Sequence, residues 1–419
     1  MNQISAMSKL LIYYFRELVG LWFGLRLLLT KNLAEGSNYD KKYDLGYWIK
    51  LKFKAITLCQ WFFNNHQLFA EAENKNLKAA LKRLKKQAGE GSTDYLPVDE
   101  VTPDIDPDEF YEKYVKYPRP VVIRGLAKDC EAIEKWNREF FLKKYGNTTL
   151  YMNEINYGKK IEVREWMGEL REVLEKKGVY VDNSKILFTK HPELRNDIAS
   201  VPSWGKFLKR SIYLIPQLFL GFVNGAPFHC ANFWNFFVMV DGEKQWTFIS
   251  PEHSLQVGAL VNPTGIYADA CVTGKGGTWR DESEIFKRYC PKYRTLLKKG
   301  DVLLNPPWWW HEIQNQTPFT IGIATRWIVL NHQRTNLLFD FIQMVSRQMW
   351  QVNYSMILTN GGMNLGTAED DDIVRKFLAN RDKNPKYKRD YENRCCEKTA
   401  GEQTKVWEDD SQKPQATSN

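Results

Sequence analysis

Several absences narrow the class of this chain. Its seven cysteines, at 59, 130, 230, 271, 290, 395 and 396, form no CxxC pair and are odd in number. That excludes a disulfide framework and a zinc ribbon, and a reducing, intracellular setting fits best. No run of lysine and arginine builds a basic patch, and the net charge of +9 is spread along the chain, so nucleic acid is not an expected partner. No window reaches the ~18 uncharged apolar residues that mark a spanning helix. Histidine is scarce, with six in all, so each one inside a metal-like pattern carries weight. There is no internal repeat.

What is present is a chain of 419 residues, 43% hydrophobic and 14% aromatic. Such a composition excludes global disorder and supplies a sizeable core, in one large domain or two ordinary ones. Residues 1–87 read as a helical, basic N-terminal region. Within it, residues 9–30 (KLLIYYFRELVGLWFGLRLLLT) are interrupted by Arg16, Glu17 and Arg26. At about 100° per residue, Lys9, Tyr13, Arg16, Glu17, Gly20, Gly24 and Arg26 fall on one half of a helix. Leu11, Tyr14, Phe15, Leu18, Leu21, Trp22, Leu25 and Leu29 fall on the other, with Phe23 and Leu27 out of pattern. This predicts an interfacial amphipathic helix, with a membrane surface as partner. Basic residues follow (Lys31, Lys41, Lys42, Lys50, Lys52, Lys54), then a second aromatic run, AITLCQWFF. The same pattern also fits helices that pack on the rest of the chain. The scarcity of serine and the presence of an acid argue against a signal anchor or an organelle presequence.

A Lys-rich helical segment, 74–87, leads to a linker, 88–97, containing AGEGSTD. The main domain is expected over 98–330. There DPDEFYEKY reads as a capped helix, PVVIRG as a buried strand, and 131–145 as a helix ended by Gly146. From about 210 to 330, short apolar and aromatic runs alternate with Gly, Pro and Asn, the pattern of an antiparallel barrel or jelly roll. Helical runs fill 331–390 (TNLLFDFIQMVSRQMW, then DDDIVRKFLANR), and the polar tail 391–419 is expected to be disordered. The fold class is mainly β with flanking helices, which form N- and C-terminal extensions.

The chemistry concentrates in HCANFWNFFVMVDGEKQW, His229 to Trp246. Asp241-Gly242 between apolar runs predicts a two-residue hairpin, pairing Val240 with Glu243 and Met239 with Lys244. Alternation then places His229, Ala231, Phe233, Asn235, Phe237 and Met239 on one face, with Lys244, Trp246 and Phe248 across from them. A lysine on an apolar face is costly unless it meets an anion, and a carboxylate ligand would answer that need. The second piece is GDVLLNPPWWWHEI, which presents His311 behind Trp308, Trp309 and Trp310, expected as an aromatic wall at the mouth. Two histidines on inner strands suit a first-row transition metal. Arg326, where a strand returns toward the site, is placed to bind an anionic group or to pair with surface acids. The competing reading is that Lys244 snorkels to the barrel mouth and the histidines are satisfied core residues.

These stretches, with DPDEFYEKYVKYPRPVVIRGLAKDCEAIEKW before them, resemble the Jumonji-C or cupin-like oxygenases that use Fe(II) and 2-oxoglutarate. They are most similar to the branch containing the asparaginyl hydroxylase that inhibits a hypoxia factor. The resemblance covers about 100–330 and implies a double-stranded β-helix, the jelly-roll barrel of the cupins. It implies that His229 and His311 are catalytic metal ligands, that Lys244 pairs the far carboxylate of 2-oxoglutarate, and that Asn235 lines the cosubstrate pocket. Arg326 is grouped with the cosubstrate residues. The family often dimerises through C-terminal helices, so a homodimer through TNLLFDFIQMVSRQMW is one expectation, and packing of that helix on its own barrel is the other.

The departures are as informative. The family's first strand reads His-x-Asp or His-x-Glu, and here the third position is Ala231. Three residues before the histidine, where Thr or Asn is usual, stands Ala226. Cys230 and Glu312 are expected to point away, and Asp241 and His253 lie too far along, so no replacement acid is visible. Three readings follow. The first is an altered but active two-histidine oxygenase site on a protein or small-molecule substrate, with water or, as in halogenases, chloride in the acid's place. The second is a degenerate barrel kept for binding or scaffolding, because losing a charged ligand lowers metal affinity. The third makes the barrel an adaptor for a membrane-side N-terminus. There, changing His229 is harmless and deleting residues 1–60 is not.

Overall fold

The computed structural model describes residues 18–33, 41–65, 68–157, 161–176, 179–222, 225–262, 265–274, 279–329 and 332–346. Helices α1 (18–29), α2 (Tyr47–Phe62) and α3 (Ala70–Ala88) come first. The strands follow in chain order. They begin with β1 (Tyr95–Pro97), β2 (Asp99–Val101), β3 (Val121–Ile123), β4 (Thr149–Tyr157), β5 (Ile161–Glu169), β6 (Tyr180–Ser184), β7 (Ser211–Phe222) and β8 (Gly225–Ala231). They continue with β9 (Trp234–Asp241), β10 (Lys244–Ile249), β11 (Ala259–Val261), β12 (Tyr267–Ala270), β13 (Lys292–Leu297), β14 (Val302–Asn305), β15 (Trp310–Asn315) and β16 (Phe319–Val329). Helix α4 (Leu337–Val345) packs after them.

The strands form two sheets. One has the order β1-β13-β10-β15-β8-β12-β11, the other β2-β3-β14-β9-β16-β7-β6-β4-β5. From β7 onward the chain repeatedly switches sheets, which makes the jelly-roll barrel that the alternating apolar runs predict. Phe237, Met239, Leu303 and Ala324 of one inner face meet Trp246, Phe248 and Leu297 of the other. Outside the nine-stranded sheet lies the largest core, around Trp136, Phe188, Phe207 and Trp234. Outside the seven-stranded sheet, Phe23, Leu27, Phe53, Leu77 and Leu84 of α1–α3 pack with Phe228, Cys230, Trp308 and Trp310.

One expected detail is overturned. Asp241-Gly242 does not close a hairpin. β9 pairs β14 and β16, whereas β10 pairs β13 and β15. Gly242 does adopt positive φ (79°), but it turns the chain from one sheet into the other. A positive-φ glycine makes a sharp corner; whether the next strand folds back or crosses depends on which neighbours saturate its two edges. A second corner at Asn232-Phe233 separates β8 from β9. The inward residues still face one another, across the barrel rather than along a ladder.

The linker expected over 88–97 is shorter, since Ala88 ends α3 and Tyr95–Pro97 pair with β13 as β1, whereas the capping signals are met. Asp106 caps its helix, accepting from the backbone N–H of Asp108 (2.9 Å) and Glu109 (3.0 Å). The helix expected over 131–145 breaks at Trp136, whose indole donates to Asp197 (2.8 Å), and Asn137 caps the second half by accepting from Phe140 N–H (2.9 Å). The N-terminal helices are locked to the barrel by buried charge. The Lys50 ammonium lies 2.7 Å from Asp44 and 3.3 Å from Glu252, and Lys54 donates to the carbonyls of Leu27 (2.8 Å) and Thr30 (3.0 Å) at the end of α1. Leu337, Leu338, Phe339 and Ile342 of α4 are buried against this same core. The rest of the predicted C-terminal helices, the tail 391–419 and residues 9–17 lie outside the described residues.

Candidate functional site

β8 and β15 are neighbours, and their register sets His229 opposite His311, with ring centroids 4.3 Å apart. Each ring is held the same way. His229 Nδ1 donates to the carbonyl of Pro227 (2.8 Å), and His311 Nδ1 donates to that of Trp309 (2.9 Å). A carbonyl only accepts, so Nδ1 carries the proton and Nε2 carries the lone pair that a metal uses. Burial, then the neighbouring His229, hold the His311 imidazole well below its usual range, with Arg326 adding to the effect. His311 is therefore neutral, as a ligand must be.

Two aromatic rings bracket the pair. Trp246 stacks on His311 (5.5 Å, 26°) and Tyr267 on His229 (5.5 Å, 28°). Asn305 Nδ2 lies 3.4 Å from both ring nitrogens of His311. Two polar atoms at this point are buried without a partner: the Trp246 indole N–H and Asn305 Oδ1. A donor and an acceptor without a protein partner beside one imidazole leave a place that a polar ligand or a water would satisfy.

Lys244 sits deeper on the same wall. Phe248 pairs with His311 and Lys244 with Asn315, four residues along β15, or about 13 Å of strand. The buried ammonium donates to Tyr180 Oη (2.7 Å), Thr320 Oγ1 (3.0 Å) and Asn315 Oδ1. All three acceptors are neutral, and burial pulls the amine down to about 7. This is an amine that a bound anion would hold protonated, and the partners it has here are neutral.

The remaining expected residues are close by. Asn235 pairs with Asn305 and with Arg326, and its Oδ1 accepts from Thr325 N–H (3.1 Å). Arg326 Nε donates to Gln217 Oε1 (2.6 Å). The tryptophan wall needs correction. Trp308 and Trp310 face the outer core, bonded to Asp340 (2.8 Å) and Ser254 (3.0 Å), and only Trp309 joins the inner cluster. Alternation along β15 turns Trp310 away from the face of His311, and Trp308 is turned outward by the preceding turn, where it adopts positive φ (63°). Glu312 points outward as expected, so close to Gly274 that a Cβ there would stand 2.4 Å from its Oε2.

Ala231 pairs with Tyr267, and Asp269, buried on β12, pairs with His229. Among the described residues no group of three or more His, Cys, Asp and Glu side chains is arranged to hold a metal. The donor set is thus the two imidazoles of His229 and His311. Sequence reasoning did not single out Tyr180, Asn305, Asn315 or Thr320. Counting inward positions along β15 from His311 finds Asn315, and counting back along β16 from Arg326 finds Thr320. Tyr180 gives no local signal, because it is brought in from 64 residues away.

Comparison with known proteins agrees with this architecture. Residues 107–328 match the family model described as a cupin-like domain. Over 235 residues the chain is 23% identical to a lysine-specific demethylase, JMJ21, of Arabidopsis thaliana, covering 53% of this chain and 24% of that protein. Over 246 residues it is 21% identical to an arginine-specific demethylase, JMJ22, of the same plant, covering 54% of this chain and 46% of that one. The chain therefore spans less than half the length of either relative. The model match extends over more than half of the chain, and the chain belongs to the cupin-like domain family, of the Jumonji-C type.

Proposed function

We propose that this protein is an Fe(II)- and 2-oxoglutarate-dependent oxygenase with a two-histidine metal site, in which the cosubstrate completes the metal's ligand set. The observation that carries the reading is one inner wall holding the apposed His229 and His311 at one end and the buried Lys244 at the other. The residues fit the group in part. His229 and His311 would hold the metal by their Nε2 atoms. Lys244, with Tyr180, Asn315 and Thr320, would take the far carboxylate of the cosubstrate. The orphaned Trp246 N–H would meet one of its oxygens. The acid that normally neutralises the metal is absent at Ala231. Two imidazoles bring no counter-charge to a dication, and a dicarboxylate would add to what the buried Asp269, across from His229, supplies. When bound, such an iron centre oxidises a C–H bond at the cost of 2-oxoglutarate and O₂. This chain's part is to keep His311 neutral and both imidazoles aimed, to seat the anion in a dry wall, and to exclude bulk water with Trp246, Phe248 and Ile313. The relatives, named for lysine and arginine demethylation, favour a protein side chain as substrate over a small molecule.

The test is anaerobic Fe(II) titration with and without 2-oxoglutarate. The expected result is weak binding alone, strong binding with cosubstrate, and the weak visible charge-transfer band of the ternary complex. The second reading is a barrel kept as a binding module, with Ala231 in the acid's place. No band and no retained metal at saturating cosubstrate would establish that reading instead. Added chloride that shifts the band would favour the halide version over water in the place beside Ala231.

A further inference from the structure

We infer that the outer faces of α1 and α2 form a lipid-docking surface that rests on an anionic bilayer. Helix α1 is built with its apolar stripe outward. Leu18, Leu21, Trp22, Leu25, Leu28 and Leu29 are 51% to 73% exposed. At 100° per residue these six cover an arc of about 120°, one continuous face. The opposite face, with Gly20, Phe23, Gly24 and Leu27, is the one that packs inward. A Cβ on Gly24 would stand 3.2 Å from Phe341 of α4, so the small residues of α1 permit its close approach. A surface helix of a globular protein buries its apolar stripe; this one buries its glycines and presents its leucines. It cannot turn over to hide them, because Phe23 and Leu27 are anchored in the core and Lys54 holds the carbonyls of Leu27 and Thr30.

Helix α2 continues the surface. Trp48, Phe62 and Phe63 are exposed, with Lys52 on the same side as Trp48. Tyr47, half-exposed at its start, approaches the Leu28 carbonyl (3.5 Å), so the two helices adjoin. An exposed apolar area of this extent marks an interaction site.

The charges select the occupant. Within residues 18–33 and 47–63 the cations outside the core are Arg26, Lys31 and Lys52, with no Asp or Glu in either stretch; Lys50 and Lys54 point inward. Lys31 and Lys52 are exposed, and the Arg26 guanidinium lies 5.7 Å from the Trp22 ring at the edge of the stripe. A second copy of this surface would bring like charges together, whereas anionic headgroups complement them. Leucine and tryptophan at the acyl boundary with basic side chains beside them are the composition of an interfacial helix. None of the helices among the described residues is long and apolar enough to cross a membrane, and α1 is held flat on the protein by buried Phe23 and Leu27 and by the Lys54 contacts to its last turn. The contact is therefore in the plane of the surface.

The test uses the full chain in flotation with phosphatidylcholine vesicles, with and without phosphatidylserine, at low and high salt. Partners are the double variant Leu21→Glu/Leu25→Glu and the variant Lys31→Glu/Lys52→Glu. All four side chains are exposed, so thermal melts should match the parent. The expected result is flotation with phosphatidylserine vesicles, weakened by salt, at least tenfold reduced in the leucine variant and reduced in the lysine variant. A parent that stays at the bottom with both vesicle types overturns the inference, as does equal flotation of the leucine variant. So does a parent dimer, by light scattering, that the leucine variant converts to monomer without any flotation. That result assigns the surface to a second copy. Retention of the surface by another segment of this chain would show as no flotation and a lowered melt in the leucine variant, and it also overturns the inference.

Discussion

If Lys244 receives the cosubstrate's far carboxylate, the affinity for 2-oxoglutarate must depend on pH in a way the structure specifies. Burial lowers the free amine to about 7. The protonated fraction then falls from about 90% at pH 6 to about 1% at pH 9, because each unit above the pKa removes a factor of ten, or about 1.4 kcal/mol. The anion binds the protonated form, so binding raises the amine's pKa and takes up a proton near neutral pH. Between pH 6 and pH 9 affinity should weaken roughly 90-fold, near 2.7 kcal/mol, with most of the loss above pH 7. His311 adds nothing to this slope, because its imidazole is held neutral across the range. The assay is calorimetric titration of 2-oxoglutarate into protein with Mn(II), from pH 6 to pH 9, in buffers of differing ionisation enthalpy. The control is Lys244→Arg, whose guanidinium stays charged throughout and should give a flat profile. A flat profile in the parent, or the same slope in the arginine variant, would refute the assignment. The same lowering has a stability consequence of defined sign. Between about 7 and the ordinary lysine value of 10.5 the unfolded chain holds the extra proton, so the unliganded fold should gain stability as pH rises through that window.

Three further outcomes follow from the site and its supports. Ala231→Asp should strengthen metal binding in the absence of cosubstrate by about 10- to 100-fold, read by metal titration; unchanged affinity would mean that Tyr267, its cross-strand partner, shuts that position off from the metal. Trp246→Phe should cost about 0.5–1.5 kcal/mol of cosubstrate affinity, besides a stability loss of about 1–3 kcal/mol for the smaller ring in the inner core; lost stability with unchanged affinity would contradict this. Glu252→Gln should destabilise the fold by about 3–5 kcal/mol, measured by denaturant titration, because it leaves Lys50 buried with one counter-charge fewer and removes the acid that supports Lys54; a loss below 1 kcal/mol would mean the N-terminal helices do not depend on that pair.

The sequence by itself determined a good deal. Alternating runs from 210 to 330 were enough for a jelly roll, because a two-residue period and Gly/Pro punctuation are local properties of a chain that must bury one face. Parity from His229 reached Ala231, and parity from the Asp-Gly turn reached Lys244, Trp246 and Phe248, since inward and outward alternate whatever the strand pairs with. The stripe on α1 was legible for the same reason. Tertiary structure alone decided the rest. Asp241-Gly242 looks identical in a hairpin and in a corner, and only the saturation of β9 and β10 by other strands made it a corner. Which half of α1 faces water could not be read from its amphipathicity, because the buried half is selected by the shape of what it packs on, and glycine fits close to Phe341 where leucine does not. Tyr180 meets Lys244 only through an inserted strand, a long-range pairing with no local trace. The place left by the missing carboxylate is likewise a property of three dimensions: Ala231 was visible in the sequence, but that Tyr267 and Asp269 come to border it was fixed by the strand that pairs with β8.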